Sequence, residues 1–202
     1  MQQSVDNYYE WENDNYYCYP HSNVLKNKFN IHSEEELKNI ERQVTAVRAA
    51  QILRNPVKGN FDEKHLKEIH KNLFQDIYYW AGEFRKVNIS KGNPFCLFEY
   101  VPDQLNKLFT ELKNENYLAF LDKEALANRL SYYLGELNAI HPFREGNGRT
   151  QRIFIMELAQ KNGYILDMSK VKQSDMLYAS IQSFDLNYGP MTKIIRDSLR
   201  KR

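Results

Sequence analysis

A stretch of twelve residues, HPFREGNGRTQR, holds a dense set of chemically active side chains. It runs from His141 to Arg152 and places two glycines around one asparagine, before a segment of helical character. Glycine loses more conformational freedom on folding than any other residue, and cations in the first turn of a helix oppose its dipole. Residues that are unfavourable for the local structure, with no local gain in stability, indicate a functional site. Because a bound anion would resolve the conflict, the stretch predicts an anion-binding loop.

The loop offers two kinds of phosphate ligand. Gly146 and Gly148 let successive backbone N–H groups turn toward one point, and the helix N-terminus behind them adds more N–H groups. Arg149 and Arg152 are three residues apart, so both can flank the same face of the helix. Guanidinium groups bind phosphate oxygens in a bidentate manner. Together these groups predict a cradle for several phosphates.

Two further residues suggest a reaction at this cradle. Glu145 is an acid among phosphate ligands, which is favourable when a divalent cation such as Mg²⁺ lies between them. His141 lies beside the cradle, and histidine is the commonest general base near neutral pH. These are the components of phosphoryl or nucleotidyl transfer, although the chain lacks the Walker A pattern. Each feature alone has an ordinary structural explanation, but their combination favours the enzymatic hypothesis. We interpret Phe143 as a core anchor.

Helical periodicity on both sides of the loop predicts the elements that position it. Apolar residues recur at helical spacing from Leu126 to Ile140, and Pro142 biases His141 away from helical geometry, so this helix ends at the loop. The segment RTQRIFIMELAQKNG is apolar on nearly every side, which predicts a buried central helix stopped by its Asn-Gly pair. Capping and periodicity predict further helices at 33–53, from Asp62 toward 80, after Pro102, near 170–184 and near 190–200.

The segment around 87–98 gives the strand signal of the chain. VNIS alternates, KGNP has turn chemistry and FCLF follows, which predicts a short β-hairpin, although a surface loop fits equally well. Residues 1–20 show no periodicity and predict an irregular arm, followed by a single domain over 21–202. The predicted fold class is all-α, a helical bundle around a central buried helix with one small β-hairpin.

Composition argues against several classes of protein. The net charge is +2 with interleaved acids and bases, so direct nucleic-acid binding is not expected. No apolar run is long enough for a membrane span, and the acidic, aromatic N-terminus is unlike a leader peptide, so a cytoplasmic location is expected. Cys18 and Cys96 are too few for a disulfide framework. The remaining histidines lack ligand spacing, and we interpret them as surface or packing residues: His21, His32, His65 and His70.

The twelve-residue stretch resembles the signature of Fic-domain proteins, which is HPF, any residue, an acid, GNGR, two residues and Arg. Every fixed position is matched. The segment FDEKHLKEIHKNLFQDIYYWAGEFR is similar to the one that precedes the β-hairpin flap of that family, and the likeness covers about residues 22–200. The resemblance implies the helical Fic fold and the transfer of AMP from ATP to a Ser, Thr or Tyr hydroxyl of a target protein, with release of pyrophosphate.

The resemblance also implies roles for individual residues. His141 would deprotonate the target hydroxyl, and Glu145 would hold Mg²⁺ against the α- and β-phosphates. Later helices would form the adenine pocket, for which the order along the chain suggests Ser180–Tyr188. Gly146, Asn147 and Gly148 would line an anion hole, in which Asn147 would contact the α-phosphate. Arg149 would bind the β-phosphate and Arg152 the γ-phosphate. The flap, which includes Ile89, Lys91 and Phe98, would clamp the target by main-chain pairing.

Control and self-modification are expected as well. Fic proteins are commonly inhibited by a helix with the pattern Ser or Thr, three residues, Glu, then Gly or Asn, whose glutamate pairs with the second arginine of the motif. No Ser or Thr in this chain has Glu four residues later. We therefore expect a separate small antitoxin that supplies this helix; acids of the arm, Glu10 and Glu12, are the alternative. We also expect self-adenylylation in the arm or hairpin, with arm candidates Tyr8, Tyr9, Tyr16, Tyr17 and Tyr19.

Several alternative functions stay open from the sequence. Doc-type members carry lysine at the position of Gly148 and phosphorylate their targets, so the glycine favours AMP transfer. Transfer of UMP, GMP or phosphocholine is a variant of the same chemistry. An alternative of another class is a catalytically silent nucleotide-binding or interaction module involved in cell division. It would require a missing catalytic residue, and none is missing.

Overall fold

The secondary structure comes from a computed structural model, which describes residues 14–202. The elements in this range are α1 (Glu34–Arg54), α2 (Glu63–Phe74), β1 (Ser90–Lys91), β2 (Asn93–Pro94), α3 (Val101–Asn114), α4 (Lys123–Ile140), α5 (Asn147–Lys161), β3 (Tyr164–Leu166), α6 (Gln173–Phe184), α7 (Gly189–Ser198) and β4 (Leu199–Lys201). Short 3₁₀ helices lie at Phe98–Tyr100 and Asn116–Leu118. The predicted mostly helical class is confirmed. None of the helices in the described range has the length and apolar character needed to cross a membrane.

Side-chain caps determine where three of the helices begin. Ser33, Asp62 and Asp122 precede α1, α2 and α4, and each accepts a hydrogen bond from the backbone N–H three residues later. Such a cap satisfies one of the N–H groups that a helix start leaves without an intrahelical partner. The predicted starts of α1 and α2 are therefore confirmed, together with their physical cause.

The helices α4 and α5, which flank the motif loop, form the centre of the core. α4 is buried from Leu126 to Ile140 along its apolar stripe, and the middle of α5 is buried from Ile153 to Ile155. α6 and α7 pack against α4, whereas α2 packs against α5. The predicted central buried helix is thus confirmed as α5. Because both flanking helices are fixed by packing, the ends of the loop between them are fixed as well.

The two small sheets differ in how well the sequence predicted them. β1 and β2 form the predicted hairpin, but the pairing covers only Ser90–Lys91 with Asn93–Pro94, and Gly92 makes the turn at φ 75°. β3 and β4 form a second antiparallel pair, with Ile165 opposite Arg200, which the sequence analysis did not predict. Strands of three residues are too short to produce a recognisable alternation.

Residues 14–20, the described end of the N-terminal arm, form no helix and pack into the domain. Tyr17 and Cys18 are buried, and the Tyr17 hydroxyl accepts a hydrogen bond from the Lys86 N–H at 3.1 Å. Asp14 forms a buried ion pair with Arg144 of the motif loop, at 2.7 Å. The expectations for Tyr8, Tyr9, Glu10 and Glu12 lie outside the described residues.

Candidate active site

His141 ends α4 and begins the loop in a left-handed backbone conformation. Its φ and ψ are 49° and 61°, and its N–H still donates to the Leu137 carbonyl oxygen at 3.0 Å. Residues with a Cβ rarely adopt this conformation, because Cβ then approaches the following carbonyl oxygen, so surrounding contacts must maintain it. The following Pro142 disfavours a helical continuation. The prediction that the helix ends at His141 is confirmed.

The imidazole of His141 is buried and neutral, and it contacts both Asn138 and Phe95. Nδ1 lies 3.1 Å from the Asn138 carbonyl oxygen; since that oxygen can only accept, Nδ1 carries the proton and the lone pair is on Nε2. The Phe95 ring stacks on the imidazole with centroids 3.7 Å apart. Burial lowers the pKa of His141 to about 3, and the cations Arg85 and Lys91 act in the same direction. The ring therefore has the unprotonated form that a general base requires.

Asn147 closes the motif loop onto itself. Its Oδ1 accepts from the Phe143 N–H at 2.9 Å, and its Nδ2 donates to the Phe143 carbonyl oxygen at 2.7 Å. Phe143 is fully buried, which agrees with the predicted core anchor. Gly146 turns the chain at φ 81°, and a Cβ there would lie 2.2 Å from the Phe74 ring. The loop thus accepts only glycine at 146, and the amide of Asn147 serves the loop; its contact with an α-phosphate stays a prediction.

The N-terminus of α5 supplies the backbone part of the predicted cradle. Gly146 is the N-cap, and within residues 14–202 no side chain makes a capping hydrogen bond there. The first N–H groups of the helix, from Asn147 to Arg149, therefore remain for an external acceptor, and the helix dipole favours an anion at this end. Gly148 is exposed, and among the described residues a Cβ added to it would meet the Arg152 guanidinium alone within 4 Å, at 3.2 Å. A ligand can thus approach the backbone closely at this position.

The Arg149 guanidinium already interacts with acids and an aromatic ring. Its Nη2 lies 2.6 Å from Glu41 Oε1 and 3.3 Å from Glu145 Oε1, and its Nη1 donates to the Thr45 hydroxyl at 3.2 Å. The guanidinium carbon is 4.7 Å from the centroid of the Phe74 ring. Burial acts to lower the pKa of Arg149, but the two carboxylates outweigh it and raise the pKa. These contacts hold the guanidinium beside the loop before any phosphate arrives.

Arg152 lies three residues farther along α5 in a different electrostatic environment. It is half-buried, and within residues 14–202 it has no hydrogen bond or ion pair. Burial lowers its pKa, and the nearby Arg149 charge acts in the same direction. A partly buried cation without a counter-charge is unfavourable, and a bound anion would relieve that cost. This environment supports the predicted contact of Arg152 with a γ-phosphate.

Glu145 combines with Glu41 to leave excess negative charge beside the cradle. Its Oε1 accepts from the Gly146 N–H at 2.8 Å. Burial raises the pKa of Glu145, and the charge of Glu41 raises it further, whereas Arg149 opposes both effects. Two carboxylates thus share one guanidinium, and a divalent cation would neutralise the remaining charge. The carboxylate fits the predicted role as a ligand of Mg²⁺ together with phosphate oxygens.

Two residues of α1, Glu41 and Thr45, support this cluster and were not predicted from the sequence. Glu41 of α1 binds Arg149 with one oxygen, and its other oxygen accepts a short hydrogen bond from the Tyr78 hydroxyl. Thr45, one turn later in α1, is buried against the same guanidinium. No local pattern indicates the role of Glu41, because its pairing with Arg149 spans more than a hundred residues of chain.

His70 of α2 also contacts the loop, which corrects part of its interpretation as a surface or packing residue. Its Nδ1 accepts from the Gly82 N–H at 2.9 Å, so Nε2 carries the proton and donates to the Glu145 carbonyl oxygen at 3.0 Å. The ring stacks on Phe143 with centroids 3.9 Å apart. Burial lowers the pKa of His70 to about 3. The position of His70 within the apolar stripe of α2, next to Ile69, was the available signal. His65 is also buried, whereas His21 and His32 are exposed.

The predicted flap residues occupy three different environments. Ile89 is buried directly before β1, Lys91 is exposed within β1, and Phe98 lies beyond the hairpin in a 3₁₀ helix. Arg85 was not predicted from the sequence; its buried guanidinium contacts the base of the hairpin and the carbonyl oxygen of His141. Target binding by the flap stays a prediction.

The segment suggested for the adenine pocket begins within α6 and continues to the start of α7. Ser183 is buried, and the ring of Phe184 lies 5.8 Å from Phe95, the residue that covers His141. The segment Ser180–Tyr188 therefore lies near the motif loop, and its role toward adenine stays a prediction.

Comparison with known proteins places this geometry in a family. The Fic/DOC family profile matches residues 60–159, which include the motif and the segment before the flap. The chain is 42% identical over 181 residues to "Probable protein adenylyltransferase y4lH" of Sinorhizobium fredii, covering 89% of this chain and 93% of that protein. It is 40% identical over 192 residues to "Protein adenylyltransferase VbhT" of Bartonella schoenbuchensis, covering 95% of this chain and 40% of that longer protein.

The fold is likewise similar to solved structures. The N-terminal Fic domain of a putative cell filamentation protein from Bartonella quintana, crystallised with bound ADP, superposes with a TM-score of 0.88 at 32% identity. The superposition covers 93% of this chain and 96% of that one. With the fold, the motif geometry and the sequence identity in agreement, this chain belongs to the Fic/DOC family.

Proposed function

We propose that this chain is a protein adenylyltransferase, which transfers AMP from ATP to a Ser, Thr or Tyr hydroxyl of a target protein and releases pyrophosphate. One observation carries the proposal: a neutral, oriented His141 stands beside a cradle of helix N–H groups and two arginines. A base next to a site for several phosphates suits attack of a hydroxyl on a nucleotide phosphate. The names of the most similar relatives support AMP as the transferred group.

His141 supplies the base for the transfer. Its Nε2 accepts the proton of the target hydroxyl while the hydroxyl oxygen forms a bond to the α-phosphorus of ATP. The bond between that phosphorus and the bridging oxygen of the β-phosphate breaks, and pyrophosphate leaves. Nδ1–H stays bound to the Asn138 carbonyl oxygen, which keeps Nε2 oriented and stabilises the positive ring that forms. The low pKa favours rapid loss of that proton afterwards.

The cradle binds the triphosphate through charge. Helix N–H groups at the start of α5 bind the α-phosphate side, Arg149 binds the β-phosphate and Arg152 the γ-phosphate. Arg149 is pre-oriented by Glu41, whereas Arg152 gains its counter-charge from the nucleotide. Glu145 would hold Mg²⁺ with the phosphate oxygens. When bound, the ion neutralises phosphate charge and supports departure of pyrophosphate.

The central experiment follows the label from ATP. Cell lysate is incubated with the chain and ATP labelled at the α-phosphate. Parallel incubations contain ATP labelled at the γ-phosphate, α-labelled UTP or α-labelled GTP. AMP transfer predicts a protein band only with α-labelled ATP. A band with γ-label would show phosphorylation, and bands with another nucleotide would change the donor. No band with any label, while calorimetry shows ATP binding, would favour a silent nucleotide-binding module.

The metal site is tested in the same assay. Glu145→Ala should abolish labelling together with its dependence on Mg²⁺, because the carboxylate is the proposed protein ligand. Glu35→Ala, on the exposed first turn of α1, is the matched control and should keep both. Full activity of Glu145→Ala with an unchanged Mg²⁺ titration would place the metal elsewhere.

Control of the enzyme by a separate small protein is part of the proposal. Arg152 has no anionic partner within residues 14–202, so a glutamate from an antitoxin helix has a cation to bind there. The test compares the full chain with a chain lacking residues 1–13, which retains the buried Asp14. Equal labelling rates support a separate inhibitor. A large rise on deletion would show inhibition by the arm itself.

Tryptic mass spectrometry of the same samples detects self-adenylylation; among arm tyrosines, Tyr16 is exposed and Tyr17 is buried.

A further inference from the structure

Arg85 lies at the meeting point of the flap and the motif loop. It follows α2 and precedes the hairpin, and only 2% of its surface is exposed. Its backbone N–H donates to the Pro142 carbonyl oxygen at 2.9 Å, which ties the chain before the flap to the loop after α4. A charged side chain is rarely buried this completely unless its charge is balanced by hydrogen bonds.

The guanidinium of Arg85 binds carbonyl groups from both sides of this junction. Nε donates to the His141 carbonyl oxygen at 2.8 Å, and Nη2 lies 3.3 Å from the carbonyl oxygen of Ile140. Nη1 donates to the Val87 carbonyl oxygen at 2.8 Å, and Nη2 makes a short hydrogen bond to that of Cys96. Val87 and Cys96 bracket the hairpin β1–β2. One side chain therefore joins both ends of the flap to the end of α4.

The position of the Arg85 guanidinium at the C-terminal end of α4 explains this arrangement. The last carbonyl groups of a helix have no intrahelical partner and carry the negative end of its dipole. A cation there is favourable, and the planar guanidinium has five N–H donors in a fixed geometry. Lysine would place a compact charge with different donor directions. The site thus requires arginine more than it requires a positive charge.

Neighbouring contacts connect the same two segments. The Cys96 N–H donates to the Ala139 carbonyl oxygen at 3.1 Å, and the Phe95 ring stacks on the imidazole of His141. The Phe98 N–H donates to Asn88 Oδ1 at 2.9 Å, which closes the base of the hairpin. Each of these contacts joins a single pair of residues, whereas Arg85 binds both ends of the hairpin and His141 at the end of α4.

We propose that Arg85 is a positioning residue that holds the flap and the end of α4 as one unit, so that a target hydroxyl presented by the flap meets Nε2 of His141. This inference rests on the proposed function for its catalytic consequence. Its structural content, a flap that opens only together with the end of α4, does not depend on the reaction.

The test uses the full chain with Arg85→Lys, and with Arg129→Lys as the matched control. Arg129 of α4 is another guanidinium with several partners, Glu111, Glu115 and Tyr133, but it is partly exposed and lies three turns before His141. Hydrogen exchange is measured across 87–97, thermal unfolding reports folding, calorimetry reports ATP affinity, and α-labelled ATP reports transfer in lysate.

Arg85→Lys should raise amide exchange in the flap at least tenfold and lower the labelling rate at least tenfold, while ATP affinity changes less than threefold. Arg129→Lys should lower thermal stability without either effect. Unchanged flap exchange in folded Arg85→Lys would overturn the inference, as would faster exchange with full labelling. If the wild-type chain labels no protein, the proposed function fails, and the exchange result still decides whether Arg85 anchors the flap.

A measurement on the wild-type chain covers the case in which Arg85→Lys does not fold. Native-state exchange in low denaturant gives the opening free energy of each protected amide. The amides of Phe95, Cys96 and His141 are all hydrogen-bonded. They should open with one common free energy and one denaturant dependence. A separate, lower-energy opening of the Phe95 and Cys96 amides without that of His141 would overturn the inference.

Discussion

The motif loop and the flap hairpin are neighbours, yet they are stabilised in opposite ways. The loop is enclosed: Asn147 bonds to its backbone, His70 binds the Glu145 carbonyl oxygen, and Phe74 fills the space beside Gly146. The hairpin pairs two residues with two, and its tip is exposed. Buried, fully bonded groups resist displacement, whereas short exposed pairings open readily. The predicted phosphate site is thus formed before any nucleotide binds, and the flap is fixed at its base but adaptable at its tip.

The largest expected effect separates chemistry from binding. His141→Ala should lower the AMP-transfer rate by about 10²–10⁴-fold, the usual contribution of a general base. ATP affinity measured by calorimetry should change little, because the base does not hold phosphates. Lys91→Ala, on the exposed flap strand, should lower transfer less than tenfold and act on the KM for the target. Retained transfer in His141→Ala would contradict its assignment as the base.

Substitution of one glycine in each region compares the rigidity of the motif loop with that of the flap hairpin. Both Gly146 and Gly92 have positive φ, 81° and 75°, but a Cβ at 146 would collide with Phe74 and one at 92 would meet nothing within 4 Å. The backbone conformation costs about 1–2 kcal/mol with a Cβ present, and overpacking adds about 1–3 kcal/mol. Urea unfolding should show the full sum for Gly146→Ala, with loss of ATP binding. Equal stability of Gly146→Ala and Gly92→Ala would refute the contrast.

Variants of the two buried histidines of α2 test whether the contacts of His70 with the motif loop maintain the shape of the cradle. His70→Phe keeps a ring between Phe143 and Phe74 but leaves the Gly82 N–H and the Glu145 carbonyl oxygen without their partner, which costs about 1–3 kcal/mol each. ATP affinity should fall at least tenfold. His65→Phe is the control, because His65 is buried in the same helix but contacts Val57. It should lose stability and keep ATP affinity; a similar loss of affinity in both variants would show a general effect of destabilising α2.

The smallest expected effect is a dependence of stability on pH. The folded chain keeps His70 and His141 neutral because burial lowers both pKa values to about 3, below the ordinary value of about 6.5. The unfolded chain then binds more protons as pH falls from about 6.5 toward 3, so the free energy of unfolding decreases in that window. At pH 5 the loss is up to about 2 kcal/mol for each histidine.

Urea unfolding at pH 7 and pH 5 measures this loss. The raised pKa of Glu145 acts in the opposite direction, so the comparison with His70→Phe isolates one histidine. His70→Phe should show a smaller decrease than the wild-type chain, whereas His21→Gln, in an exposed turn, should show the same decrease. An identical decrease in all three would exclude a buried neutral His70.

Local patterns were enough to predict most elements of the fold. The caps at Ser33 and Asp62 and the end of α4 at His141 depend on residues within four positions, and all three were predicted. The apolar surface of α5 likewise indicated its burial. The strands β3 and β4 were missed, because their pairing joins residues more than thirty positions apart and neither strand is long enough to show a period.

The sequence by itself determined the chemistry of this protein: one twelve-residue loop carries the proposed base, the acid, the glycines and both arginines. The tertiary structure decided which other residues serve that loop. Glu41, His70 and Arg85 lie on three different segments, and each reaches the motif through contacts that span 56 to 108 positions. Such contacts leave no local period or spacing, because they exist only after α2 has packed against α1 and α5. The difference between Arg149 and Arg152 has the same origin, since it depends on which guanidinium faces α1.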